Sequence, residues 1–174
     1  MLIRGKASIE ALIYAAAAVD CEGSITLMRH VSSKGYHSSG IVVSVANING
    51  DFIKFFVDSF GGKVLEEAPV KLSKRVIYRW KVYFHGAAEF LTLIRPYMRI
   101  KGRQADLAIW FMAHKKDLTY QQRDECWIEM KALNKGEPPA ETKRIEAGSN
   151  LSSDSPILAP SQKMEERRIP HSYQ

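Results

Sequence analysis

The chain has 174 residues, 45 % hydrophobic and 25 % charged. That is enough for one domain with a buried core, and no uninterrupted apolar run reaches the roughly 18 residues of a membrane-spanning helix. Its two cysteines, Cys21 and Cys126, lack a partner at metal-ligand spacing, which excludes a zinc finger or a disulfide framework and suits reduced thiols in an intracellular protein. The formal net charge is +6, and residues 135–174 carry six basic and six acidic side chains, so the whole excess sits in residues 1–134 and points to a polyanion partner, most commonly nucleic acid.

The N-terminal stretch is rich in Ala and Leu over residues 8–20 and reads as a helix stopped by Gly23. Glu10, Asp20, Glu22 and the lack of a cleavage site argue against a secretory leader. The run Ala15 to Ala18 buries little area, so its use is to let another backbone come close. Residues 24–31 and 40–47 read as two strands of a hairpin, joined by a polar turn containing Lys34, Tyr36 and His37. Ile25 and Leu27 share one side of the first strand; Ser24, Thr26, Met28 and His30 share the other. In the second, Ile41, Val43 and Val45 oppose Val42 and Ser44.

Asn49 is placed to cap a helix over residues 50–60, which Gly61-Gly62 ends. A short strand is expected at 63–67 and a longer one at 75–84. In the latter Val76, Tyr78, Trp80, Val82 and Phe84 alternate with Arg75, Ile77, Arg79, Lys81 and Tyr83. Helices follow at about 87–95, broken by Pro96, then at 103–113 and 120–133. After Gly136 the sequence turns rich in Pro, Ser and Glu, so residues 1–136 are expected to form the folded domain and 137–174 a flexible tail. The order is α-ββα-ββα-α-α, an α+β fold in which four antiparallel strands carry helices on one face. The free face holds Lys63, Arg75, Arg79 and Lys81, joined by Arg29 if the strand twists suitably. Such a curved sheet can follow the major groove of DNA. Trp80, Trp110, Trp127, Tyr78 and the phenylalanines of 52–60 are expected in the core, and His85 and His114 receive no role.

Residues 15–24, AAAAVDCEGS, resemble the LAGLIDADG motif in its common form LAGLIDGEGS, matching at Ala16, Val19 (for Ile), Asp20, Glu22, Gly23 and Ser24, with Ala17 in place of the central Gly. Further on, NINGDFIKFFVDSFGGKV (47–64), YRWKVYFHGAAEFLTLIRPYMRIKGRQADL (78–107) and CWIEMKALNKG (126–136) resemble later segments of the LAGLIDADG homing endonucleases, in order and spacing. One copy of the motif in a chain of this length resembles the homodimeric branch of that family. The resemblance implies a site-specific endonuclease that hydrolyses both strands of a long, pseudo-palindromic double-stranded DNA target with Mg²⁺; other divalent ions such as Mn²⁺ or Ca²⁺ could bind. It implies no membrane and no small-molecule substrate.

The resemblance also implies roles for single residues. Glu22 falls at the motif's metal-binding acid, aided by the backbone carbonyl of Cys21. Asp20 falls at a position that is mainly structural, with a lesser claim on the metal. Lys101 falls at the lysine that edges the cleavage site, where a cation can stabilise developing phosphate charge or order the attacking water. Asn47 falls where Gln is common; both amides can hold a water, although Asn is shorter. Asp51 stands where a basic residue would contact phosphate. Ser24, Thr26, Met28, His30, Ser44, Ile77, Arg79 and Lys81 form the candidate base-reading face, with Lys63 and Arg75 as further DNA contacts, and Arg79 could donate in bidentate fashion to guanine. Ala15, Ala16, Ala17 and Val19 are expected at the dimer axis. A binding-only protein on the same scaffold, such as an intron maturase or a regulator, is the alternative; such proteins usually lose the motif acid, and the presence of both Glu22 and Lys101 favours the enzyme.

Overall fold

A computed structural model describes residues 7–31, 37–68 and 75–136. The expected tail at 137–174 and the turn residues Lys34 and Tyr36 lie outside the described residues, as do the side chains of His30 and His37. The elements are α1 (Ile9–Glu22), β1 (Gly23–Val31), β2 (His37–Asn47), α2 (Gly50–Phe60), β3 (Lys63–Glu67), β4 (Ile77–Tyr83), α3 (Phe84–Ile94), a 3-10 turn (Arg95–Tyr97), α4 (Gly102–His114) and α5 (Tyr120–Lys135).

The four strands form one antiparallel sheet in the order β1-β2-β4-β3. Alternation places Ile25, Leu27, Ile41, Val43, Val45, Trp80 and Val82 beneath the helices, where all are buried. The core centres on Trp80, whose ring lies 4.9 Å from that of Phe56 and 5.0 Å from that of Phe90, with Phe60 beside them. Its indole Nε1 donates to the Gly61 carbonyl at 2.6 Å. Gly62 is required here: its φ is +93°, and a Cβ would meet that indole nitrogen at 2.5 Å.

The start of α1 is capped by Ser8, and its end is set by Gly23, where a Cβ would meet the Val19 backbone at 2.7 Å. Only glycine lets the helix pass directly into β1. At the other end of the chain, Thr119 and Gln122 form a capping box on α5, and Gly136 closes it with φ +72°. Asn134 Nδ2 then donates to the Ile25 carbonyl at 2.9 Å, tying the helix end to the edge strand β1.

Several expectations need correction. Ala15, Ala16 and Val19 are fully buried in the chain's own core, so they are not surface for a second copy; small side chains there let α1 lie close on the sheet and on α3. The face that α1 leaves open carries Ile9, Ile13 and Ala17. Arg29 shares its side of β1 with Ile25 and Leu27 and turns to α5, where it donates to Tyr120 Oη at 2.5 Å, pairs with Asp124 at 3.1 Å and lies over the Trp127 ring. It is therefore not on the free face. Arg75 and Val76 precede β4, and Val76 is exposed. Phe84 leaves the alternation: with φ +51° it turns the chain into α3 and is 46 % exposed. Trp110 is also outside the core, 45 % exposed and stacked on His114.

Candidate metal end and nucleic-acid face

The last turn of α1 brings two acids together in different settings. Asp20 is 7 % exposed, and its carboxylate accepts from the backbone N–H groups of Arg99 (2.6 Å), Ile100 (3.1 Å) and Lys101 (2.9 Å). Burial alone would raise its pKa, but these three donors and the Lys101 charge outweigh it and hold the group below the usual carboxylate value. A carboxylate so engaged is a clasp between α1 and the 99–101 segment, which argues against the lesser metal role expected for Asp20.

Lys101 completes the clasp in reverse. Its Nζ donates to the carbonyls of Val19 (2.9 Å), which also accepts from the Gly23 N–H, and of Asp20 (2.5 Å), one of the groups a helix end leaves without an intrahelical partner. A cation there also complements the helix dipole. An ammonium has three N–H donors, so among the described residues one remains beyond these two. Arg95 braces the same segment through a bidentate pair with Asp106 of α4 (2.6 and 2.7 Å), a contact that no motif marks.

Glu22 is the final residue of α1 and is exposed, as is Cys21 before it. Its negative charge at the negative end of a helix makes this corner attractive to a cation. Among the described residues no group of three His, Cys, Asp or Glu could hold a metal ion. The corner therefore does not fit a closed, tetrahedral cage. It fits part of the shell of a hard cation such as Mg²⁺, which keeps several waters and takes one or two carboxylates with substrate phosphate. Cys126, by contrast, is buried, and desolvation pushes its thiol up to about 11, so it is a packing residue.

Asn47 ends β2, and its Oδ1 accepts from the Asn49 N–H at 2.9 Å, while Asn49 Oδ1 caps α2 through Asp51 and Phe52. The Asn47 side-chain oxygen is thus engaged in shaping the turn, and among the described residues its amide N–H groups have no hydrogen-bond partner. Asp51 is exposed in the first turn of α2, where its charge suits the helix N-terminus.

The register arranges the rest of the free face as a grid. Ser24, Ser44, Lys81 and Lys63 form one row across all four strands. Ala46, Arg79 and Leu65 form the next, and Ile77 opposes Glu67 beyond it. On the other side of the first row, Thr26, Val42 and Tyr83 align, followed by Met28 and Gly40. Ser44 is on this face but enclosed by its neighbours on the central strand. Lys63 directly opposes Lys81, a like-charge pair that costs stability in the free chain and is relieved by an anion. Arg75 precedes this grid and is exposed. Glu67 was not among the expected site residues. Its Oε1 accepts from Arg79 Nε at 2.5 Å and its Oε2 from Arg79 Nη2 at 3.0 Å, and the pair lowers the glutamate pKa and raises that of the arginine.

No protein-family model matches the sequence, and no curated protein matches it. Solved structures do. The chain is similar to the homing endonuclease I-CvuI in complex with the I-CreI target, with a TM-score of 0.59, 14 % identity, and 70 % of this chain and 80 % of that one covered. It is similar to the archaeal intron-encoded homing endonuclease I-Vdi141I complexed with DNA, with a TM-score of 0.55, 16 % identity, and coverage of 76 % and 87 %. A third, the I-LtrWI LAGLIDADG homing endonuclease bound to target DNA, gives a TM-score of 0.51 and 16 % identity over 87 % of this chain and 53 % of that one. The four-stranded antiparallel sheet backed by five helices is the LAGLIDADG homing endonuclease fold.

Proposed function

We propose that this protein is a site-specific, divalent-metal-dependent DNA endonuclease that acts as a homodimer. The observation that carries the reading is the helix end: α1, locked by the Asp20–Lys101 clasp, delivers the exposed Glu22 carboxylate at the point where the chain enters a sheet face bearing Lys63, Arg79 and Lys81. The DNA complexes among its structural neighbours support duplex DNA as the partner.

Glu22, with the Cys21 carbonyl, would hold a divalent ion. Bound there, Mg²⁺ would supply Lewis-acid stabilisation of phosphate charge. The chain's own residues do the positioning. Lys63 and Lys81 attract and register the phosphate backbone. The uncommitted N–H of Lys101 can donate to a phosphate oxygen or to the attacking water. Because its other two donors are fixed on α1 carbonyls, the ammonium costs little reorganisation when that charge develops. Asn47 can offer its amide N–H groups to a water in the same region.

The second copy is argued from α1. Ile9 and Ile13 are 62 % and 49 % exposed and share a helix face with Ala17. Apolar surface of that kind favours burial against a partner. One chain supplies one free carboxylate at this helix end, whereas cutting both strands needs two scissile positions, and two chains related by a dyad suit a nearly palindromic site. The test is sedimentation of the purified chain together with retention of duplex DNA across a salt series. A dimer whose retention falls steeply with salt is the expected outcome. A monomer that passes through DNA at 50 mM salt would sink the proposal.

A further inference from the structure

We propose that Glu67 and Arg79 act as one reading unit that selects guanine in the major groove, with Glu67 as the positioning residue and Arg79 as the contact. The inference rests on the DNA-binding reading of the free face and assigns a residue that neither the motif nor the alternation picks out.

The geometry is specific. Glu67, on the edge strand β3, grips Arg79 side-on, through Nε and Nη2. A guanidinium has five N–H donors in a rigid fork. The side-on grip uses one N–H of Nε and one of Nη2, and leaves the end-on edge, Nη1 with the second N–H of Nη2. Among the described residues that edge has no hydrogen-bond partner. It has the spacing of a bidentate donor to guanine O6 and N7. The grip also removes the rotamer freedom that an unpaired arginine would lose on binding, so the donor is oriented before DNA arrives. Arg79 stands between Ala46 and Leu65 in its row, so no polar side chain directly opposite it competes for the edge. The pair is diagonal across β3 and β4, since Glu67 itself opposes Ile77.

A carboxylate on a face that meets a polyanion is costly for binding in general. Retaining one there makes sense if it raises discrimination, because an arginine held in one orientation satisfies guanine and leaves other bases with unmatched donors. Two effects of opposite sign follow for Glu67→Gln. Removing the negative charge strengthens retention on unrelated DNA, while freeing the fork weakens the guanine preference. A purely structural Glu67 would give the first effect through charge alone but not the second.

The test is selection of a randomised duplex library by binding, without cleavage, using the full chain and the variants Glu67→Gln, Arg79→Lys and Arg79→Ala. The expected result is a guanine in each half-site of the wild-type consensus. Its preference should drop roughly 5- to 150-fold, the worth of one bidentate pair, in all three variants, with the other positions unchanged. Arg79→Lys should keep the salt dependence, because charge is retained and only the fork is lost. Glu67→Gln should bind unrelated DNA more tightly. An unchanged consensus in Glu67→Gln, or a uniform loss at every position, would overturn the assignment while leaving the DNA-binding reading intact. Failure of the wild-type chain to retain any duplex would overturn both.

Discussion

A carboxylate that accepts three backbone N–H groups is held in its ionised form by them, and Asp20 is in that position. Asp20→Asn removes the charge but not the shape, and it is expected to lower stability by about 1.5–3 kcal/mol, the range for hydrogen bonds to a charged group. The pH dependence has a definite sign. Since the folded pKa is lowered, the stabilisation is fully present above about pH 4, the ordinary carboxylate value, and is lost as pH falls through the lowered folded value. Thermal melts should therefore show the wild-type midpoint falling more steeply in acid than that of Asp20→Asn, and parallel curves would contradict the clasp. The acidic pair of the motif was legible in the sequence. The resemblance also implies a mainly structural Asp20 beside a metal-binding Glu22, but the partners that hold Asp20 were not legible, because they come from a segment some 80 residues further along the chain.

Amphipathic elements betray their buried faces when large apolar residues mark them, and β1, β2, β4 and α2 are of that kind. Alternation and helical spacing located these elements and their inner faces, including Trp80 and Phe56, directly from the sequence. Four consecutive alanines mark nothing, which is why α1 was legible as a helix while its faces were not. Two substitutions one residue apart separate the two faces. Ala16→Leu overfills the core and is expected to cost about 1–3 kcal/mol in a denaturant melt. Ala17→Leu leaves the core alone and is expected to shift the sedimentation equilibrium towards monomer; a variant that remains a dimer would exclude this face. Arg29 shows the opposite failure. Strand parity placed it with Ile25 and Leu27, yet a charged side chain invites assignment to the open face, and the Tyr120, Asp124 and Trp127 side chains that receive it lie on α5, distant in sequence. Arg29→Ala is expected to lower stability by about 1 kcal/mol, given the exposure of the pair, and to leave the salt dependence of DNA retention unchanged. Phe84 was illegible for a local reason: a positive φ is usually signalled by glycine, and here a phenylalanine adopts it.

The molecule as a whole pairs a covered face with a charged one, and the net charge of +6 is the crude sequence-level sign of that asymmetry. Its finer structure is the grid set by strand register, in which Lys63 and Lys81 stand opposed at the row that begins with Ser24, two residues after Glu22. Removing either lysine is expected to reduce the salt slope of DNA retention by about one unit, and an unchanged slope in both variants would place the phosphate path elsewhere. The most direct measurement is sequencing of the ends produced when the full chain acts on a randomised duplex library with Mg²⁺, beside Glu22→Gln. The expected result is cutting at one nearly palindromic consensus by the wild type and none by the variant, with both still retaining that consensus. Equal cutting by the two proteins, or retention without cutting by either, would contradict a metal-bearing role for Glu22 at the end of α1.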